Sequence, residues 1–146
     1  MKLSVVTPLA IVVEVDDIAH LRAEDETGAF GILPGHAAFL TALAISVISW
    51  RDARGNEHHV AVRGGVLQLQ GGDIIAVATP EAVADDDLDR LESEVLASFR
   101  RRIAEEQAAR TDAQRLYLRA IREIAHYLRG ERRQNLPGAS DAALTG

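Results

Sequence analysis

Gly28-Ala29-Phe30-Gly31-Ile32-Leu33-Pro34-Gly35-His36-Ala37-Ala38-Phe39-Leu40-Thr41-Ala42-Leu43 is the stretch whose reading decides the fold. Glycine reaches positive φ and lets other backbone approach closely, while proline fixes φ near about −65°. Gly28, Gly31, Pro34 and Gly35 set among apolar residues therefore describe a compact turn-strand-turn with buried contacts.

The flanking sequence has the same character. Residues 4–7, 11–15, 18–23, 45–50, 58–62, 66–70 and 74–78 are short runs rich in Val and Ile, separated by turn signals. Asp52-Ala53-Arg54-Gly55-Asn56 reads as a hairpin loop with Gly55 at positive φ, and Gly71-Gly72-Asp73 as a tighter one. Short strands in succession without intervening helices predict an antiparallel sandwich or a closed barrel.

After Thr79-Pro80 the period changes. Leu88, Leu91, Val95, Phe99 and Ile103 recur at the spacing of one helical stripe, with Asp85, Asp86 and Asp87 placed to cap it. Thr111-Asp112-Ala113-Gln114 reads as a capping box that starts a second helix, whose stripe is Tyr117, Ile121, Ile124 and Leu128 and whose stop is Gly130. Two helices joined by a short turn fold back as an antiparallel hairpin. The expected organisation is thus α+β by segregation: a β domain over residues 1–84, a helical hairpin over 85–130, and a flexible tail over 131–146 rich in small and polar residues.

The glycine-rich string resembles one carried by the epsilon subunits of F-type, rotary ATP synthases. Gly28, Gly31, Ile32, Leu33, Pro34, Gly35 and His36 match it, with Leu40, Thr41, Ala42 and Leu43 as its tail. Val62-Arg63-Gly64-Gly65-Val66-Leu67 matches a second family block, and Val5-Val6-Thr7-Pro8 is similar to the family's opening. The resemblance spans residues 1–130 and is specific in the first 80. It implies a sandwich of about ten short strands followed by two helices. Two departures stand out: Ala29 replaces the acidic residue many members carry, and Ala38 replaces a common Pro. They point to a divergent branch, such as the alternate or sodium-type ATPases.

Composition narrows the function classes. The chain has 146 residues, enough for one domain with a core plus an appendage. With no cysteine it has neither a disulfide framework nor a thiolate metal site. The apolar run 3–15 is broken by Pro8 and closed by acidic residues, so it reads as strand rather than signal sequence. No apolar run approaches the roughly 18 residues that span a bilayer. Charge divides the chain. Residues 1–98 hold six basic residues against sixteen acidic ones, a balance of −10, whereas residues 99–146 hold ten Arg against six acidic ones, a balance of +4. Such asymmetry concerns partners or docking more than fold.

Candidate chemical groups are sparse. His58 and His59 are neighbours in a strand and point to opposite faces, so they do not share a metal; a surface pair is expected. His36 has no acid or second His at ligand spacing. Asp85, Asp86, Asp87 and Asp89 fit helix capping and lack the glycine of a calcium loop. There is no phosphate-cradling P-loop, and Lys2 is the only lysine. Some epsilon subunits bind ATP through an Ile/Leu-Asp-x-x-Arg-Ala motif. Here Leu88 and Asp89 match it, but Glu92 and Ser93 stand where that motif has Arg and Ala. A carboxylate in place of a cation repels phosphate, so weak or no ATP binding is expected, with no cofactor and no metal.

The basic segment is the remaining feature. Arg100, Arg101 and Arg102 fan around a helix, whereas Arg115, Arg119 and Arg122 share one face. The resemblance implies a non-catalytic central-stalk subunit that links gamma to the membrane rotor ring for proton- or sodium-coupled ATP synthesis. Gly28, Ala29, Gly31, Pro34, Gly35 and His36 would then shape the interface with gamma and the ring. The Arg residues would reach the acidic alpha and beta subunits of the catalytic head and restrain ATP hydrolysis. The implied location is the cytoplasmic side of the bacterial inner membrane, held there through the complex. The alternative is a stand-alone regulatory or nucleic-acid-binding module using the Arg-rich helices. That reading wants aromatic platforms, and only Tyr117 and Tyr127 lie among these Arg residues.

Overall fold

The computed structural model describes residues 1–71 and 73–134. Eight strands fill the amino-terminal part of the described chain: β1 (Lys2–Val6), β2 (Ile11–Val15), β3 (Ile18–Asp25), β4 (Gly28–Ile32), β5 (Phe39–Asp52), β6 (Glu57–Gln70), β7 (Ile74–Ala78) and β8 (Ala82–Ala84). Their hydrogen-bonded order is β2-β1-β7-β6-β5-β3-β4, with β8 paired to β6. Neighbours run antiparallel except β1 and β7, which are parallel. One apolar core joins the two halves of this path: Leu3, Val5, Leu67, Leu69, Ile75 and Val77 from one half, and Ile18, Leu21, Ile32, Ile48, Trp50, Val60 and Val62 from the other. The arrangement is the predicted sandwich.

Eight strands appear among the described residues where about ten were expected. The difference lies in β5 and β6, each 14 residues long and each running through both halves of the fold. The runs 58–62 and 66–70, read as two strands, are one. Gly64 at φ 70 and Gly65 at φ 109 let β6 bend between them. The bend leaves the pairing with β5 in constant register, from Phe39↔Leu69 to Arg51↔Glu57. Strand β8 continues the path of β7 beyond Pro80, along the same edge of β6 and in the same register, from Val66↔Ala78 to Val62↔Ala82.

Helical structure begins with α1 (Leu88–Arg90), capped by Asp87, whose side chain accepts the Arg90 N–H at 3.2 Å. A π-helical turn covers Leu91–Val95, and α2 runs from Leu96 to Gln134. Leu91, Leu96 and Phe99 are buried against Ile45, Val47 and Ala61, the outward side of β5 and β6. Of the predicted stripe Leu88, Leu91, Val95, Phe99 and Ile103, the middle three join Leu96 in a second small core. For that reason the first of two compact units extends to Arg102, and the second begins at Ile103.

The expected hairpin is replaced by a single helix. At Thr111 the hydroxyl donates to the Gln107 carbonyl four residues earlier, at 3.0 Å, which is how Thr behaves inside a helix rather than at its cap. Neither Gly nor Pro occurs between Leu96 and Arg129, and Gly130 is itself helical, so nothing local breaks the hydrogen-bond ladder. Residues 131–134, expected in the flexible tail, continue the helix, and residues 135–146 lie outside the described residues.

Candidate functional site

The glycine-rich string forms an edge and its turn. Strand β4 pairs only with β3, with Arg22↔Gly31 and Glu24↔Ala29 in register, and ends the sheet path. Gly28 and Gly35 take φ 123 and 82, a conformation open to glycine. The β3–β4 turn is fastened by Asp25, whose carboxylate accepts the Thr27 N–H at 2.8 Å, the Thr27 hydroxyl at 2.6 Å and the Thr41 hydroxyl at 2.8 Å. These hydrogen bonds, the Thr27 hydroxyl first, hold the Asp25 carboxyl below its ordinary value.

His36 sits in the following turn, where its backbone N–H donates to the Leu33 carbonyl at 3.2 Å. Its Nδ1 lies 2.7 Å from the Ala37 carbonyl, an oxygen that only accepts, so Nδ1 carries the proton. The ring leans on Phe39 at 5.1 Å, and Phe39 meets Phe30 edge to face at 5.7 Å. Ala29, Leu33, Pro34, Gly35 and His36 remain exposed around this aromatic prop. The turn is thus an exposed run of apolar and small residues backed by aromatic contacts.

A broader surface adjoins it that was not singled out from the sequence. Cross-strand register lines up Ile11, Val6, Ala78, Val66 and Ala42 in one row over five strands. The next row on the same face, Glu14, Ser4, Ala76, Gln68 and Leu40, carries a single charge, at Glu14 on the edge strand β2. Ile11, Leu40, Val66 and Ile74 are each 43–66% exposed. Because side chains alternate along a strand, these are the outward partners of Leu3, Val5, Leu67 and Val77. The signal in the sequence is strands whose off-core positions are mostly uncharged, with Lys2 and Glu14 as the exceptions.

The Arg residues divide into two groups. Arg102 is engaged by the body: it pairs with Glu81, which also holds Arg63 at 3.4 Å, and its guanidinium lies 5.4 Å from the Phe99 ring. Arg100 borders a cleft of about 310 Å³ with Arg22, Glu24 and Glu92, and Arg101 is exposed. Arg115, Arg119 and Arg122 are exposed and form no ion pair among the described residues. At roughly 100° per residue they lie opposite the stripe Tyr117, Ile121, Ile124 and Leu128, which is itself 43–67% exposed for its first three members. Helix α2 therefore offers two unlike faces, one cationic and one apolar.

The segment that matches an ATP motif is occupied by structural work. Asp89 offers its carbonyl to the Ser93 hydroxyl at 2.7 Å, and Leu91 is fully buried. Arg90 is held by Asp85 and, at 3.5 Å, by Glu94. Glu92, the replacement for the motif's Arg, is exposed and borders the same cleft as Arg22 and Arg100. The acidic run caps and turns the chain, with Asp85 Oδ1 accepting the Asp87 N–H at 3.0 Å.

The two adjacent histidines do face opposite sides, yet they are not a plain surface pair. His59 is buried and lies 2.6 Å from the Ser49 hydroxyl. His58 stacks on Trp50 with ring centres 5.6 Å apart. Among the described residues no group of His, Asp and Glu is arranged to hold a metal ion.

Comparison with known proteins gives the geometry its context. A family model described as "ATP synthase, Delta/Epsilon chain, beta-sandwich domain" matches residues 1–85. The chain is similar to the ATP synthase epsilon chain 2 of Cereibacter sphaeroides, 41% identical over 88% of each chain. It is also similar to the epsilon chain 2 of Paraburkholderia xenovorans, 36% identical over 90% of this chain and 95% of that one. The Thermodesulfovibrio yellowstonii ATP synthase epsilon chain is 35% identical over 77% and 79%. Among solved structures, a chain of the Euglena gracilis mitochondrial ATP synthase OSCP/F1/c-ring assembly shares the fold, with TM-score 0.55 and 19% identity over 62% of this chain and 56% of that one.

Proposed function

The chain belongs to the epsilon subunits of F-type ATP synthases, non-catalytic components of the central stalk, and from that membership we propose that it couples gamma to the membrane rotor ring and restrains ATP hydrolysis through its carboxy-terminal helix. The observation that carries the reading is that likeness to two epsilon chains runs nearly the full length, through the sandwich and into α2.

In this reading the uncharged face formed by Ile11, Val6, Ala78, Val66 and Ala42 docks on gamma. A flat apolar face is what a permanent interface needs, since obligate contacts bury surface resembling a protein core. The turn bearing Gly28, Ala29, Gly31, Pro34, Gly35 and His36 reaches gamma and the ring. With Ala29 in place of an acid, its contact with the ring is by shape and apolar packing. Torque passes through a short, stiff element because Phe30, Phe39 and His36 prop the turn from beneath.

Arg115, Arg119 and Arg122 are the cations free to meet acidic segments of the alpha and beta subunits, while the apolar stripe on the opposite side of α2 packs on another part of the stalk. Arg100 and Arg101 add to that contact, whereas Arg102 is retained by Glu81. The subunit is peripheral, held on the cytoplasmic side of the bacterial inner membrane through the complex; no described helix is long and apolar enough to cross a membrane. The two relatives named as chain 2 favour the alternate enzyme that accompanies a main ATP synthase. Whether that enzyme moves protons or sodium is decided by ligands in the ring, not by this chain.

The experiment is a tagged pull-down from membranes of the native host, with ATPase activity measured for the full chain and for a chain ending at Arg102. That cut retains Leu91, Leu96 and Phe99 in the core. Co-elution of gamma and the catalytic subunits, with hydrolysis rising in the truncated complex, is expected. A lone 15.8 kDa band overturns the subunit reading, and unchanged hydrolysis overturns the inhibitory role.

A further inference from the structure

His58 lies between two carboxylates from different segments of the chain. Its Nε2 lies 3.0 Å from Asp52 Oδ2, at the end of β5, and its Nδ1 lies 3.4 Å from Asp86 Oδ1, in the linker between β8 and α1. Both ring nitrogens can donate at once only in the imidazolium form, so the two contacts together call for a charged ring. The ring is held flat on Trp50, at 26° between planes. The linker it reaches is short and tightly turned. Asp85 donates its N–H to the His59 carbonyl at 3.2 Å, Asp87 caps α1, and the π-turn Leu91–Val95 follows.

We propose that His58 is a proton-operated clasp, tying the 85–87 linker to the β5–β6 hairpin when the ring is charged and letting it go as the ring loses its proton. The groups facing the ring favour this assignment. Asp52 and Asp86 contact it directly, and Glu14 and Asp85 line the same open cleft of about 570 Å³. The only other titratable group there is His59, which is turned to the opposite face and bonded to Ser49. Arg90, the nearest cation of the linker, is already paired with Asp85. The surroundings are therefore anionic, and the Asp52 hydrogen bond raises the His58 pKa above its ordinary 6.5 against the opposing cost of burial.

The sign follows from that direction. A histidine whose pKa is raised on folding contributes stability in full below its unfolded value, and the contribution is lost as pH rises through the folded value. The clasp is closed below the ordinary value of 6.5 and opens as pH rises through the raised one, loosening the linker from which the helical segment starts.

Trp50 supplies the measurement, because it is the single tryptophan and lies against the ring. In the isolated full-length chain, tryptophan emission titrated with pH is expected to show one transition with a midpoint above 6.5, absent in His58→Gln. Asp86→Asn, at a side chain 84% exposed and so harmless to folding, should move that midpoint to lower pH. Hydrogen exchange of the Asp85 amide, corrected for its intrinsic pH dependence, should lose roughly two- to fivefold protection across the same transition, as expected for a partly exposed ion pair. A midpoint at or below 6.5, a midpoint unmoved by Asp86→Asn, or equal loss of protection in His58→Gln would each overturn the clasp.

Discussion

Gly65 lies so close to Ala78 that a Cβ built on residue 65 would fall 2.1 Å from the Ala78 carbonyl oxygen, and 2.9 Å from Thr79 Cα. The obstacle is backbone on the neighbouring strand, which cannot swing aside, and residue 65 also sits at φ 109. Gly65→Ala should therefore cost upwards of about 3 kcal/mol. Gly35→Ala, at φ 82 but with open space around its Cβ, should cost only about 1–2 kcal/mol. Urea unfolding of both variants checks the ranking; equal losses would mean that conformation alone, not crowding, fixes glycine at residue 65.

Phe99 is 1% exposed and belongs to the small core between the first turns of α2 and the outer face of β5 and β6. Truncating a buried Phe to Ala costs about 3–5 kcal/mol. Phe99→Ala should show that loss in thermal or urea unfolding of the sandwich. Tyr117→Ala, at an exposed position on the same helix, should change stability little.

The carboxyl of Asp52 is lowered to about 2, first by the His58 hydrogen bond and then by the Asn56 N–H. A depressed carboxylate contributes stability above its ordinary 3.8, and the contribution is lost as pH falls through the folded value. Asp52→Asn should unfold at lower urea than the unmodified chain at pH 7. The gap should narrow as pH falls from about 4 to 2, where the carboxylate itself becomes neutral.

Replacing Arg115, Arg119 and Arg122 together by Glu reverses a face that makes no internal ion pair among the described residues. Stability of the isolated chain should hardly move, while ATP hydrolysis by the assembled enzyme should rise several-fold. The matching change at Arg102 should instead weaken the contact with Glu81 and lower stability in a salt-dependent way.

Titration with ATP should give no saturable binding at millimolar concentrations, since Glu92 stands where the nucleotide motif carries a cation. The pair Glu92→Arg and Ser93→Ala restores the motif's residues and should gain binding. Calorimetry on the two proteins side by side reads the difference.

The sandwich was legible because its signals are local. The short runs are rich in Val and Ile, and Gly28, Gly35 and Gly55 stand where the backbone takes positive φ. The buried stripe from Leu91 to Phe99 was likewise written in helical spacing. What the sequence could not decide was how far each element runs. Whether 58–62 and 66–70 are one strand or two depends on Gly64 and Gly65 bending while their partners across β5 keep register, which is a property of the pairing. Whether Thr111 caps a new helix or bonds back into the old one depends on whether another surface rewards a turn there, and its local chemistry permits both. The uncharged row from Ile11 to Ala42 needed the topology, because five strands from distant parts of the chain contribute one residue each. Local backbone preference, then, fixed the element types, and the resemblance of two motif strings pointed to the family; long-range pairing alone decided the strand lengths, the shared outer face and the meeting of His58 with Asp52 and Asp86.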